Sequence, residues 1–125
     1  ASDVYKRQII SYNGATLKEF PINYYSFFNA RMIFSGGGYF RLIPYNTIKK
    51  LTEKSNYIMS YFHPRDFDFN QPVIKDLSSF RKFKSYVGLK NCKFKLEKWL
   101  DDFEFINIDN ANSLIDWKKT KIIKL

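Results

Sequence analysis

The sequence lacks most of the residues from which small proteins build disulfides and metal centres. It contains one cysteine, Cys92, and a lone cysteine excludes an internal disulfide and a cysteine-cluster metal site. Acidic residues are scarce, with 12 Asp and Glu against 21 Lys and Arg. Long apolar runs are missing as well, and none approaches the ~20 residues of a membrane span.

Aromatic and basic residues are abundant instead. The 13 Phe, 9 Tyr and 2 Trp indicate a packed core and argue against a disordered chain. The net charge of +9 permits nucleic acid, anionic polymers or membrane surfaces as partners, and it does not choose among them.

The first eight residues, ASDVYKRQ, read like the translation of a transposase-tagging adapter from a sequencing library. Such a scar is excluded from fold reasoning. We therefore expect the domain to occupy residues 9–125, with an N-terminal part of the natural protein missing.

The stretch YIMSYF at residues 57–62 is the feature around which the chain is organised. A continuous apolar run ended by Pro64 predicts a strand that is buried on both faces. His63, the only histidine, follows it at the strand end, where such sheets place their chemistry. A structural histidine that bonds a neighbouring backbone group is the equally weighted alternative.

Further elements follow from turn residues and apolar spacing. Three consecutive glycines at 36–38 favour a plain tight turn, and Asn13-Gly14 ends a first strand. Amphipathic spacing predicts helices behind Pro44, behind Ser78 or Ser79, and behind Gly88. The expected strands are 9–12, 17–22 and 103–108, and the expected helices are 45–54, 80–87, 89–102 and a last one from Asn110 to Trp117.

Four segments in this order resemble the C-terminal part of polysaccharide deacetylases of the NodB-homology superfamily. They are LKEFPI at 17–22, FSGGGYFRLIPY at 34–45, YFHPRDFD at 61–68 and YVGLK at 86–90 before a Lys-rich helix. The branch that is most similar carries a C-terminal extension of unassigned function and is often found near bacterial exopolysaccharide genes.

The resemblance implies an α/β fold, the C-terminal fragment of a distorted (β/α) barrel that hydrolyses N-acetyl groups on a sugar polymer. In that family an Asp and two His hold a divalent metal, commonly zinc, a second Asp acts as base, and a late His protonates the leaving amine. His63 matches the late His, and we expect Tyr39, Arg41 and Arg65 to contact an N-acetylated polysaccharide.

The metal site of that family has no match in this sequence. One histidine cannot supply the paired ligands, and Asp101-Asp102 follows a Lys-rich helix without the apolar strand that carries the family's Asp pair. We interpret these two carboxylates as solvated charges at a helix end. We therefore expect the fragment to bind no metal and to be inactive by itself, with the zinc site in the missing N-terminal part.

Two alternatives from other classes stay open. A small basic domain would bind nucleic acid through one helix face, although we expect no nucleic acid as partner; its residues would be Lys90, Lys93, Lys95 and Lys98. A non-catalytic carbohydrate-binding module would stack sugars on tyrosines for which core positions are favoured: Tyr24, Tyr25, Tyr39 and Tyr61. The sugar, the oligomeric state and the compartment, cytoplasm or cell envelope, are not specified by these patterns.

Overall fold

The computed structural model describes residues 7–27 and 30–125, which form a mixed α/β arrangement. The first six residues of the expected scar therefore lie outside the described part of the chain. The strands are β1 (Gln8–Tyr12), β2 (Ala15–Glu19), β3 (Tyr25–Phe27), β4 (Ala30–Met32) and β5 (Ile122–Lys124), and the helices are α1 (Gly37–Leu42), α2 (Tyr45–Glu53), α3 (Ser79–Tyr86), α4 (Leu89–Asp102) and α5 (Ile108–Leu114), with short 3-10 helices at Pro64–Asp66 and Trp117–Lys119.

Two small sheets account for the described strands. In the first, β1 pairs antiparallel with β2 and parallel with β5. The β1–β2 hairpin turns at Asn13 and Gly14, both at positive φ, 46° and 81°, as the sequence predicts. Strand β2 ends at Glu19, because Pro21 two residues later cannot donate to a strand ladder. The second sheet is the antiparallel pair β3–β4.

The three predicted amphipathic helices are confirmed. Pro44 precedes α2 as its N-cap, and the Ser78 side chain accepts a hydrogen bond from the Arg81 main-chain N–H at the start of α3. Gly88 separates α3 from α4 with φ 70°, a conformation that glycine adopts without strain. None of the described helices is long and apolar enough to cross a membrane.

The core lies where α1, α2 and α4 meet. Trp99 of α4 is fully buried, packs beside the Phe40 ring at 5.3 Å and donates its indole N–H to Thr52 Oγ1 over 2.9 Å. The Phe40 ring also meets Phe62 edge-on at 4.9 Å. The other buried residues of this cluster are Phe34, Ile43, Ile48, Leu51 and Cys92.

The prediction of a buried strand over 57–62 is wrong. The segment lies outside the named strands and forms one parallel bridge, between Gly36 and Tyr61, and the Tyr61 side chain is 54% exposed. Its apolar side chains are only half-buried at Ile58 and Met59. A strand needs hydrogen-bonded neighbours along its length, and the described residues offer this segment such partners at one edge only.

Three local predictions also fail. Residues 103–107 form neither strand nor helix, and the helix after them begins at Ile108 because Asn107, not Asn110, accepts the capping hydrogen bond. Gly37 and Gly38 open α1 instead of forming a plain tight turn. An isolated sequence does not show which of two nearby asparagines caps a helix.

Burial of the Cys92 thiol gives a testable pH dependence. Burial, and secondarily the Asp66 charge, raises its pKa from the ordinary 9.0 to about 11, while Arg41 and Lys95 oppose the rise. Because the folded-state pKa is raised, the stabilisation is complete below pH 9 and disappears as the pH rises to about 11.

We expect the wild-type protein to lose on the order of 2 kcal/mol more unfolding free energy than Cys92→Ala between pH 8.5 and 11. Urea unfolding of both proteins at the two pH values measures this difference. Equal losses in the two proteins would show that the Cys92 thiol has the same pKa in the folded and unfolded states.

Candidate functional site

Tyr61 and His63 form an exposed polar pair directly after the extended segment. The Tyr61 hydroxyl oxygen and His63 Nε2 are 3.1 Å apart, and the two rings meet edge-on with centroids 4.9 Å apart. Alternate residues of an extended chain lie on the same side, which brings the two side chains together. Tyr61 thereby orients an imidazole that is open to solvent.

Asp66 fixes the main chain next to His63 through hydrogen bonds. The His63 main-chain N–H donates to Asp66 Oδ2 over 3.0 Å, and the Asp66 N–H donates back to the His63 carbonyl over 2.9 Å. Pro64, whose φ suits a helical start, opens the 3-10 helix between them. Asp66 is only 4% exposed, so the main chain of His63 is bonded to a buried carboxylate.

Arg41 of α1 also contacts Asp66. Its buried position does not agree with the substrate contact that the sequence predicts for it. The residue is 6% exposed, and its Nη1 and Nη2 donate to the Ser85 and Lys84 carbonyls over 2.7 and 3.1 Å. Its Nε lies 3.4 Å from Asp66 Oδ1, an ion-pair contact without hydrogen-bond geometry. A buried guanidinium with these partners joins α1, α3 and the 3-10 helix, and it is not available to a sugar.

Gly36 sets the distance between the glycine segment and Tyr61. A Cβ atom at Gly36 would lie 2.0 Å from the Tyr61 carbonyl oxygen, far inside van der Waals contact. A residue with a side chain would not fit at this position, and the partner of the close approach is the chain just before His63.

Tyr39 and Arg65, the other two predicted substrate contacts, are exposed. The Arg65 guanidinium forms no hydrogen bond or ion pair within residues 7–27 and 30–125. No described contact joins either side chain to His63. Tyr25, Tyr39 and Tyr61 are all exposed, so the core positions favoured for them are wrong.

Three of the four lysines on which a nucleic-acid site would depend form contacts within the domain. Lys95 donates to the carbonyls of Phe40, Arg41 and Ile43 over 3.2, 2.6 and 2.8 Å, at the C-terminal end of α1. Burial lowers the pKa of Lys95. Lys93 pairs with Glu97 on its own helix, and the Lys98 ammonium lies over the Tyr45 ring at 5.1 Å.

The residues that the structure describes do not fit a metal. Among 7–27 and 30–125, no three or more His, Cys, Asp or Glu side chains are grouped so that they would hold one. Asp102 is instead engaged at the end of α4, where Tyr45 Oη and Lys49 Nζ donate to its Oδ2, and these hydrogen bonds lower its pKa. Asp101 and Asp102 are both exposed at the end of α4, which agrees with their interpretation as solvated charges at a helix end.

Asp66 was not singled out from the sequence, although a signal for it exists. A proline at the first helical position with an acidic residue two positions later, here Pro64 and Asp66, is a typical helix start in which the carboxylate accepts the N-cap N–H. Nothing comparable marks Arg41, since its burial depends on the packing of distant helices.

The fold and the site together define a small α/β domain that presents an oriented histidine and tyrosine above a buried Asp–Arg pair. A family model, Domain of unknown function (DUF3473), matches residues 3–113, and the chain belongs to that family. This domain is known at the C-terminus of polysaccharide deacetylase-associated proteins. No curated protein and no solved structure matches the chain.

Proposed function

We propose that this chain is the C-terminal part of a metal-dependent polysaccharide deacetylase that hydrolyses N-acetyl groups on a sugar polymer. The observation that carries the proposal is the exposed His63, oriented by Tyr61 and fixed through Asp66 to Arg41. Membership in a family associated with polysaccharide deacetylases and the order of the four motifs support it.

His63 would act as the general acid of this reaction. When the acetamide C–N bond breaks, the leaving nitrogen needs a proton, and a protonated imidazole supplies one near neutral pH. Tyr61 and Asp66 would be positioning residues, the first for the ring and the second for the main chain. The described residues provide no group of ligands for the metal, so the roles assigned here are confined to His63, Tyr61 and Asp66.

The fold class that we propose, a C-terminal fragment of a distorted (β/α) barrel, is supported by an open edge beside His63. The main-chain groups of Met59 bond Asn23 Oδ1 and Ser35 Oγ, and the Tyr61 N–H bonds the Ser35 carbonyl. Neighbouring residues of an extended chain direct their main-chain N–H and C=O groups to opposite edges. The main-chain groups of Ile58 and Ser60 therefore lie at the second edge of the segment.

The groups at that second edge form no hydrogen bond within the part of the chain that the structure describes. Ile58 and Ser60 line a groove of about 460 Å³ together with residues 103–108. An unpaired edge accepts a further strand. In the parent enzyme we expect that strand to come from the part of the polypeptide that carries the metal site. This pairing would place the metal site close to His63.

Substrate contact would come from the exposed side chains near the histidine. Tyr61 presents a half-exposed aromatic ring, and Arg65 presents a guanidinium without a described partner. Tyrosine faces stack on sugar rings, and a guanidinium donates several hydrogen bonds to polar groups. Tyr39 is a third candidate for the same contact.

Acetate release tests the proposal directly. We expect the chain expressed with its natural upstream sequence to release acetate from N-acetylated oligosaccharides when zinc is present, and the 125-residue chain to release none. An enzymatic acetate assay after chelation and zinc addition measures both. Oligosaccharide binding without acetate release by the longer protein would contradict the proposal and favour the carbohydrate-binding alternative.

A further inference from the structure

Helix α3 presents its apolar stripe to solvent. Phe80 is 70% exposed and Phe83 52%, and residues three apart lie on the same helix face. The opposite face carries Lys82, Ser85 and Tyr86, which are only partly exposed, so that side of the helix faces the rest of the domain. No residue of α3 is buried. A surface helix usually shows the reverse arrangement, with its apolar face toward the core.

The loop before α3 adds two exposed apolar side chains and is tied to the helix. Tyr86 Oη accepts a hydrogen bond from the Ile74 N–H over 3.0 Å and donates one to the Pro72 carbonyl over 3.2 Å. Val73 and Ile74 are both exposed. The loop tip is thus held against the helix instead of moving independently of it.

Basic side chains surround these apolar groups. Residues 73–84 contain a single acidic residue, Asp76, and the four basic side chains form no ion pair within 7–27 and 30–125. The Lys84 ammonium lies over the Phe80 ring at 5.4 Å, so charge and apolar surface are adjacent. The four are Lys75, Arg81, Lys82 and Lys84, of which Lys82 lies on the partly buried face of the helix and the other three are exposed.

We propose that this α3 surface, formed by Val73, Ile74, Phe80 and Phe83 with Lys75, Arg81 and Lys84, docks on the surface of a membrane rich in anionic lipid. A lipid interface takes both kinds of group at once, because phenyl and aliphatic side chains enter the acyl boundary while Lys and Arg stay among the phosphates. A soluble polyanion would use the cations and leave both phenylalanines in water. The inference is independent of the proposed deacetylase function.

Vesicle sedimentation with the 125-residue chain tests the surface. We expect binding to vesicles that contain phosphatidylglycerol, weakening with salt, and little binding to pure phosphatidylcholine. Phe80→Ser/Phe83→Ser should weaken binding at least about tenfold through lost apolar burial. Lys75→Glu/Lys84→Glu should weaken it by a similar or larger factor through charge reversal.

Matched controls lie elsewhere on the chain. Phe94→Ser removes a phenylalanine of α4 that is 66% exposed, and Lys118→Glu/Lys121→Glu reverses two exposed charges near the C-terminus. Both controls should bind within about twofold of wild type, because a change of a few tenths of a kcal/mol is usual for surface substitutions. Far-ultraviolet circular dichroism checks that every variant folds.

Three results would overturn the proposal. The first is absence of binding to anionic vesicles, and the second is equal weakening by the controls. The third is a loss of binding in the lysine variant with none in the phenylalanine variant, which would identify a purely electrostatic surface suited to a soluble polyanion.

Discussion

Replacing Arg41 with methionine is expected to lower the free energy of unfolding by about 3–5 kcal/mol, because the change breaks a buried ion pair from one side. The Asp66 carboxylate, 4% exposed, would lose its cation, and the Lys84 and Ser85 carbonyls would lose their donors. Chemical denaturation at neutral pH, followed by circular dichroism, measures the loss.

The double variant Arg41→Met/Asp66→Asn separates the free-energy cost of an unpaired buried charge from the cost of lost packing. An uncharged amide can still accept the His63 N–H through its oxygen, so this variant should be more stable than Arg41→Met alone. A destabilisation by Arg41→Met of less than about 0.5 kcal/mol, the range of an ordinary surface substitution, would show that Arg41 is solvated and does not support the site.

Replacing His63 with alanine in the protein that includes its upstream sequence is expected to lower kcat for acetate release by about a hundredfold or more, as loss of a general acid does. KM and zinc content should stay close to wild type, since His63 is exposed and belongs to no metal-ligand group among the described residues. Steady-state kinetics and metal analysis of the purified proteins measure these quantities.

Tyr61→Phe serves as the matched variant. It keeps the ring beside His63 and removes the hydroxyl that lies 3.1 Å from Nε2, so we expect a smaller loss of kcat than for His63→Ala. Unchanged turnover in His63→Ala would exclude the role of general acid. Loss of zinc in that variant would assign His63 to metal binding instead.

Elements that depend on local sequence were predictable. The hairpin follows from Asn13-Gly14, and the helix starts follow from Pro44 and Ser78, because turn and cap preferences act within a few residues. The contact between Tyr61 and His63 also follows from the order Tyr61, Phe62, His63, since alternation fixes which side chains share a face, whereas the exposure of Tyr61 was not predicted.

Features that depend on distant contacts were not predictable. Residues 57–62 have the composition of a buried strand, yet a strand forms only where hydrogen-bonding neighbours are present, and the described residues supply them at one edge. Arg41 and Lys95 read as surface charges. Their burial became evident only when the structure placed carbonyls of α1 and α3 beside them.

The helical period of α3 was predicted and its orientation was not. Spacing identifies Phe80 and Phe83 as one face, but it does not show whether that face meets the core or solvent. In the structure Lys82, Ser85 and Tyr86, on the other side of the helix, are the partly buried residues.

The dependence of kcat on the leaving group tests the central claim, that His63 donates the proton to the leaving amine, most directly. With the longer protein, His63→Ala should release acetate from an N-acetylated oligosaccharide at least about a hundredfold more slowly than wild type, because the amine needs a proton to leave. With an acetyl aryl ester, whose phenolate leaves without protonation, the kcat values of the two proteins should differ by much less. An equal loss of kcat with both substrates would contradict the claim, because His63 would then act in a step other than protonation of the leaving group.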